Sequence, residues 1–418
     1  MLELIIFANI FVSVFLLYYC ISSLSKKRYN ASILYYPVFY IFFSIHLIFD
    51  YFIGIPSLKV SLSSLEYTLH DRETNLLYNV FLLVTHFFFL ICFLKRKKYF
   101  NSISIDKYTK FKSLLLIVAI LGPLSLLTVS DVNVYLIYGD IRNFIGQDLY
   151  DEFGLVWLLS FLSSISIVFL RFLEGKNIGI LKALFLILVL TIDVYINNKR
   201  FIYGFFVVYA SISFFFNKHS FINIIKVIFS VILFFSLYLN YSFHYKYSYE
   251  QTIDDVYSST RQELGRDDVL KYVIYEKVMN SRDILEYPGQ SYLSVLLGFI
   301  PREYWKDKPY PYGQYLTNKV IRDNIGPMLG TWTITTSFID EFVSNFGMWG
   351  LLLSLVFMLI TFHIFDNSND SFIKAFVLSF IVFYTLTNIN WYLILIYLFF
   401  VYLVVKKIRY WISNYVLS

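Results

Sequence analysis

Charge is scarce in this sequence: only 15% of its 418 residues are Asp, Glu, Lys or Arg, against about 25% in a soluble domain. With 58% hydrophobic residues and a mean hydropathy of +0.62, it carries more apolar surface than a soluble fold of this size can hide. That excludes a cytosolic enzyme, a coiled coil, collagen and a disordered chain. No internal repeat and no Pro/Gly/Ser-rich linker is present. Two cysteines, Cys20 and Cys92, cannot make a disulfide scaffold and read as small core residues. The histidines His46, His70, His86, His219, His244 and His363 lack metal-ligand spacing, so no zinc site is expected. No G-x-x-x-x-G-K-[ST] motif is found, which removes a nucleotide motor. No D-x-D in the outer segment offers a metal-bound sugar nucleotide a seat. Neither metal nor cofactor is expected.

Long apolar runs are abundant. A spanning helix needs about 20 mostly apolar residues, and eleven such runs lie near 2–22, 33–54, 76–94, 113–130, 154–172, 179–197, 201–217, 221–243, 345–365, 372–388 and 391–405. The first has Glu3 before it and Lys26, Lys27 and Arg28 after it, the flanks of an anchor with its N-terminus outside. Threaded alternately, the loops on one side hold nineteen of the 35 basic residues, and the short loops opposite hold only Lys59, Arg72, Arg142, Lys199 and Arg200. The remaining eleven lie in one long outer segment, roughly 244–330, with twelve acidic residues. The net charge of +6 is therefore topogenic, and nucleic acid is not an expected partner. The expected fold is an all-α polytopic membrane protein of about 11 transmembrane helices. Eight lie in 1–243, an outer cap loop with short amphipathic helices fills 244–344, and three lie in 345–418. Nine or ten spans with a re-entrant pair satisfy the same pattern. The 45 Phe and 37 Tyr reflect AT-rich codons as readily as function.

Three places break the pattern. Lys199 and Arg200, in the turn Asn197-Asn198-Lys199-Arg200, sit on the wrong side for topology. They either snorkel to the interface or hold phosphate, which the planar Arg fork matches. The second is the rigid strip from Pro301 through Pro309 and Pro311, with Arg302, Lys306 and Lys308 among Tyr304, Trp305, Tyr310 and Tyr312. Rings that stack on sugars and cations that hold phosphate suit a phosphosugar; an interfacial aromatic belt is the plainer reading. The third is Asp340-Glu341, running into the ninth span. These carboxylates either complement a helix N-terminus or, with burial raising the pKa, accept a proton from a hydroxyl. Adjacent helical residues diverge by about 100°, so one should face the site, and Glu341 is the better candidate. Arg261 and Arg282 are further cap cations placed to support a phosphate.

In its motifs and their order the chain resembles the Wzy-type polymerases of bacterial surface polysaccharide, the oligosaccharide repeat-unit or O-antigen polymerases. The matching elements are Asn198-Lys199-Arg200, Gly265-Arg266-Asp267, Tyr287-Pro288-Gly289-Gln290-Ser291, Ile300-Pro301-Arg302 through Trp305 to Lys308-Pro309, and Glu341 with Asn345-Phe346-Gly347. Many relatives have Trp-Pro before the Lys-Pro pair, where this chain has Trp305-Lys306-Asp307. The resemblance implies a GT-C-like, metal-independent glycosyltransferase in the bacterial inner membrane, with its C-terminus cytoplasmic and its active site facing the periplasm. Its substrate would be an undecaprenyl-diphosphate-linked oligosaccharide embedded in membrane lipid, and a chain-length regulator protein would be a partner. Arg200, Arg302 and Lys308, with Lys199, would stabilise the leaving diphosphate; Tyr304 and Trp305 would contact sugar; Glu341 would be the base. Rivals are an O-antigen ligase, a flippase or transporter of lipid-linked sugars, and a sensory membrane protein.

Overall fold

The computed structural model describes residues 1–26, 28, 30–58, 62–94, 109–132, 150–174, 178–197, 257–258, 260–261, 264–300, 302–328 and 333–415. The runs expected to span at 201–217 and 221–243, together with Lys199 and Arg200, lie outside the described residues. The described residues contain helices and turns but no strand. Four helices are long and apolar enough to cross a membrane: α1 (Leu2–Ser25), α2 (Ala31–Phe52), α4 (Arg72–Leu94) and α12 (Met348–Asn367). The chain is a helical membrane protein.

The other expected spans in the described residues are helical too. They are α5 (Thr109–Leu124, tightening into a 3-10 turn at Ser125–Thr128), α6 (Tyr150–Glu174), α7 (Ile180–Asn197), α13 (Ser371–Leu386) and α14 (Leu393–Tyr415). Helix α14 runs ten residues past the expected end at 405, because the charged residues Lys406, Lys407 and Arg409 are good helix formers. A short α3 (Ser63–His70) links α2 to α4. Asn30 starts α2 by accepting from the Ile33 amide at 3.0 Å. Pro37 then removes a donor inside α2, and a π-helical turn at Tyr40–Ser44 follows.

Lipid as solvent governs the packing. Helix α1 presents Leu4, Phe7, Phe11 and Tyr18 outward and hides its polar groups against neighbours. Asn9 donates to the Asn79 carbonyl and side chain on α4 at 2.9 and 3.0 Å. Tyr36 donates to the Ser13 carbonyl at 3.2 Å, and Tyr35 meets Thr385 on α13 at 2.6 Å. Where no water is at hand, an unpaired polar group costs several kcal/mol, so these bonds fix which helix faces touch.

The described part of the expected cap is helical and packs against the helices of the N-terminal part. It comprises α8 (Asp267–Val273, continuing as a π-helix over Ile274–Met279), α9 (Gln290–Leu296), α10 (Tyr312–Arg322) and α11 (Phe338–Phe346). All seven residues of α8 proper are buried. The expectation that Asp340-Glu341 runs straight into a span also needs correction. Gly347, at φ +58°, breaks the chain between α11 and α12, and the returning helix passes so close that a Cβ on Gly350 would stand 2.3 Å from the Phe342 carbonyl oxygen.

One cation fastens the cap to the membrane helices. Arg261 is 0% exposed. It donates through Nε to Asp268 at 2.8 Å, through Nη2 to Asp267 at 2.7 Å, and through Nη1 to Asp50 on α2. Tyr257 donates to the same Asp50 carboxylate at 2.6 Å, and Lys271 lies 3.2 Å from Asp267. Burial raises the Asp267 carboxyl, but the Arg261 and Lys271 charges outweigh it and hold the group below its ordinary range. Arg261→Ala would leave the buried Asp267 and Asp268 and the partly exposed Asp50 without their shared cation, at an expected loss of about 3–5 kcal/mol. Thermal unfolding of the purified variant in detergent should show that loss, and an unchanged midpoint would refute it.

Candidate functional site

Glu341 is the centre of the best-formed polar site in the described residues. Helix α11 begins with a capping box: the Ser337 amide donates to Asp340 Oδ1 at 2.6 Å, and the Asp340 amide returns to the Ser337 hydroxyl at 3.5 Å. This assigns the helix-start role to Asp340 and, one residue on, turns Glu341 into the interior. Both residues are completely buried. The Tyr384 hydroxyl on α13 donates to Glu341 Oε2 at 3.1 Å. Ser291 interacts with the same carboxyl without closing a hydrogen bond to Oε1, which has no partner. Burial drives the Glu341 pKa up to about 8, neighbouring Asp340 adds to the rise, and Ser291 and Tyr384 oppose it. Asp340 is pushed by burial to about 7, against its Ser337 bonds and the Arg266 charge. A carboxyl of this kind is tuned to trade a proton near neutrality.

The turn before α9 is joined to this site. Gly289 adopts φ +84°, open to glycine without penalty, and its amide donates to Asn345 Oδ1 at 2.8 Å. Asn345 donates in turn to the Ser291 hydroxyl at 2.9 Å. Gln290 donates to the Tyr315 hydroxyl at 2.9 Å, which itself donates nothing to the Tyr310 amide but accepts from it at 3.3 Å. Arg302 lies over the Tyr310 ring, 3.5 Å from its centroid. The Tyr287–Ser291 motif, the aromatic-basic strip and the Glu341–Asn345 motif are therefore one connected hydrogen-bonded network, buried at Gln290, Ser291, Glu341 and Asn345.

Arg266 enters from the other side. Gly265 is needed there, since a Cβ would stand 2.6 Å from the Arg261 carbonyl oxygen. The Arg266 amide donates to the Phe42 carbonyl at 3.1 Å, where the π turn of α2 displaces the backbone, and Nη2 donates to the Leu386 carbonyl at 3.0 Å. Arg266 belongs to a motif singled out in the sequence but was given no site role there. Its signal was the adjoining glycine; its approach to Asp340 is a tertiary fact.

The remaining sequence candidates divide. Lys308 is committed to structure, donating to the Gly298 and Ile300 carbonyls at 2.7 and 2.8 Å. Burial and the Arg302 charge lower its pKa. Arg302 donates to the Pro309 carbonyl at 3.3 Å. Arg261 is buried and committed to Asp50, Asp267 and Asp268. Arg282 stands at the surface, its side chain 58% exposed and 3.9 Å from Glu276. Tyr304 is 83% exposed, and Trp305 is half-buried. Arg200 and Lys199 lie outside the described residues. Among the described residues no three His, Cys, Asp or Glu side chains gather as a metal site.

A carboxyl with a folded-state pKa raised from 4.5 to about 8 binds its proton more tightly folded than unfolded. Its contribution is complete below pH 4.5 and is lost as pH rises through about 8. Glu341→Gln should therefore flatten the fall of the unfolding midpoint between those pH values, leaving the share due to Asp340. Parallel melting curves of the two proteins across that range check this, and equal slopes would contradict it. Comparison of the chain with protein-family models, curated proteins and solved structures gives no match, so its function is read from these residues alone.

Proposed function

We propose that this protein is a metal-independent membrane glycosyltransferase that polymerises undecaprenyl-diphosphate-linked repeat units of a bacterial surface polysaccharide. It would transfer the growing glycan from its lipid diphosphate to a new lipid-linked unit. The observation that carries the reading is Glu341: a desolvated carboxyl with a pKa raised to about 8, tethered by Tyr384 and joined through Ser291 and Asn345 to an aromatic-basic strip. The proposed arrangement is GT-C-like, with eleven spans, the N-terminus outside, the C-terminus cytoplasmic and the site facing the periplasm.

The chemistry needs two things from the chain. An acceptor hydroxyl must lose its proton as its oxygen bonds to the anomeric carbon, and the departing diphosphate must be stabilised as the carbon–oxygen bond to it breaks. Glu341 takes the proton in this scheme. Arg302, with Arg200, supplies fixed cationic donors to the diphosphate. Arg302 stacks on Tyr310, which keeps its guanidinium in place, and Lys308 holds the strip in shape by binding two of its carbonyls. Tyr304 and Trp305 offer ring faces for sugar. Arg266, close to Asp340, keeps a positive charge near the paired carboxyls.

The decisive experiment is the surface polysaccharide of a strain lacking the gene, complemented by wild type, Glu341→Gln or Arg200→Ala and separated on a gel. Wild type should restore a ladder. Either variant, at normal protein level, should leave a single repeat unit, with loss of the base worth about 10²–10⁴ in rate. A full ladder from both variants would defeat the reading. Absence of even the single unit in the deletion strain would favour a flippase or ligase.

The pH dependence offers a second check. Glu341 must be ionised to accept a proton, so the rate should rise with pH up to about 8. The Tyr384 hydrogen bond favours the ionised carboxyl, so Tyr384→Phe should move that rise to higher pH. A shift to lower pH in a reconstituted polymerisation assay would exclude Glu341 as the base.

A further inference from the structure

A second buried carboxyl, far from this chemistry in the chain, lies among the membrane helices. Pro123 sits inside α5, and its ring nitrogen cannot donate to the carbonyl one turn earlier, that of Ala119. Ser163 on α6 meets the open carbonyl: its hydroxyl lies 2.6 Å from the Ala119 oxygen. The same hydroxyl lies 2.5 Å from Asp193 Oδ2 on α7, and Ser164 reaches Oδ2 at 3.4 Å. The other carboxyl oxygen tucks against Gly122, where a Cβ would stand 2.1 Å from it. Ala119, Ser163, Ser164 and Asp193 are all 0% exposed.

Hydrogen accounting decides what Asp193 must be. A hydroxyl has one hydrogen to give, while a backbone carbonyl and an ionised carboxylate can only accept. Were Asp193 ionised, Ser163 could serve only one of its two close neighbours, and lone pairs would face lone pairs at the other. A proton on Asp193 removes the conflict. The acid then gives its hydrogen to Ser163, and Ser163 gives its own to Ala119. Among the described residues, hydroxyls are the side chains acting on Asp193, and no cation does so. An ionised carboxylate here would have no counter-charge among the described residues, a costly state inside a membrane.

We propose that Asp193 is a proton-binding site of the membrane helices, a neutral carboxylic acid whose relay through Ser163 to Ala119 clasps α7 to α6 and α6 to α5. The site is independent of the polymerase reading, because none of its residues touches Glu341 or the aromatic-basic strip. Its proton is the bound species, and Gly122 and Pro123 are the two residues that shape the seat.

Difference infrared spectroscopy of wild type and Asp193→Asn, in the same lipid at neutral pH, tests it directly. The expected result is loss of one carboxylic-acid C=O band with the carboxylate bands unchanged. Loss of a carboxylate band instead would overturn the proposal. Asn keeps an N–H donor for Ser163, so the variant retains the relay. Should it fail to accumulate, Ser163→Ala reads the same group: the acid loses its acceptor, and its C=O band should move to higher frequency. An unmoved band would count against the site.

Discussion

The guanidinium of Arg261, set among Asp50, Asp267 and Asp268, is the joint on which the described structure turns. It links a carboxylate near the end of α2 to the first turn of α8, where Lys271 adds a second positive charge. Arg261, Asp267, Asp268 and Lys271 are buried and Asp50 lies at the partly exposed edge, so removing the guanidinium would leave buried charges unpaired. What it fixes is placement. With α8 pinned, Gly265 passes close over Arg261, and Arg266 is driven between the π turn of α2 and the end of α13. From there it acts on Asp340.

The site around Glu341 follows from that placement and from a division of labour between adjacent carboxyls. Asp340 closes the capping box with Ser337, so α11 starts where it does. Glu341, one residue on, then points inward to Tyr384. Removal from water pushes both pKa values upward, and the hydrogen bonds to each limit how far. Such tuning is useless at a surface, where solvent would return the carboxyl to its ordinary range. Gly347 and Gly350 let α12 pack closely against α11, the helix that carries both carboxyls. The aromatic-basic strip joins the site through Tyr312, whose hydroxyl donates to the Asp340 carbonyl, and through the turn at Gly289, whose left-handed backbone aims one amide at Asn345.

Much of the molecule was legible from composition and pattern. Apolar runs located α1, α2, α4 and α12, because a helix facing lipid must be apolar over its whole length and cannot disguise itself. The prolines marked an irregular strip after α9. The divergence of adjacent helical residues separated Asp340 from Glu341. Less legible were the roles of the cations. Arg261 and Lys308 look, by residue type, like phosphate ligands, whereas three carboxylates enclose the first and two backbone carbonyls occupy the second. Asp267, which belongs to the Gly265-Arg266-Asp267 element, and its neighbour Asp268 turn out to be the partners that make Arg261 structural.

The sequence by itself determined the solvent, since so much apolar surface and so little charge leave lipid as the only covering, and it determined where helices form, since local hydrogen bonding satisfies the backbone there. Only the tertiary structure decided which polar groups are spent on one another and which remain to act. Partners such as Asp50 and Arg261, or Glu341 and Tyr384, are distant in the chain, and burial acts on a group through everything packed around it. Residue type gives the charge available; the packed environment fixes its protonation and what it can reach.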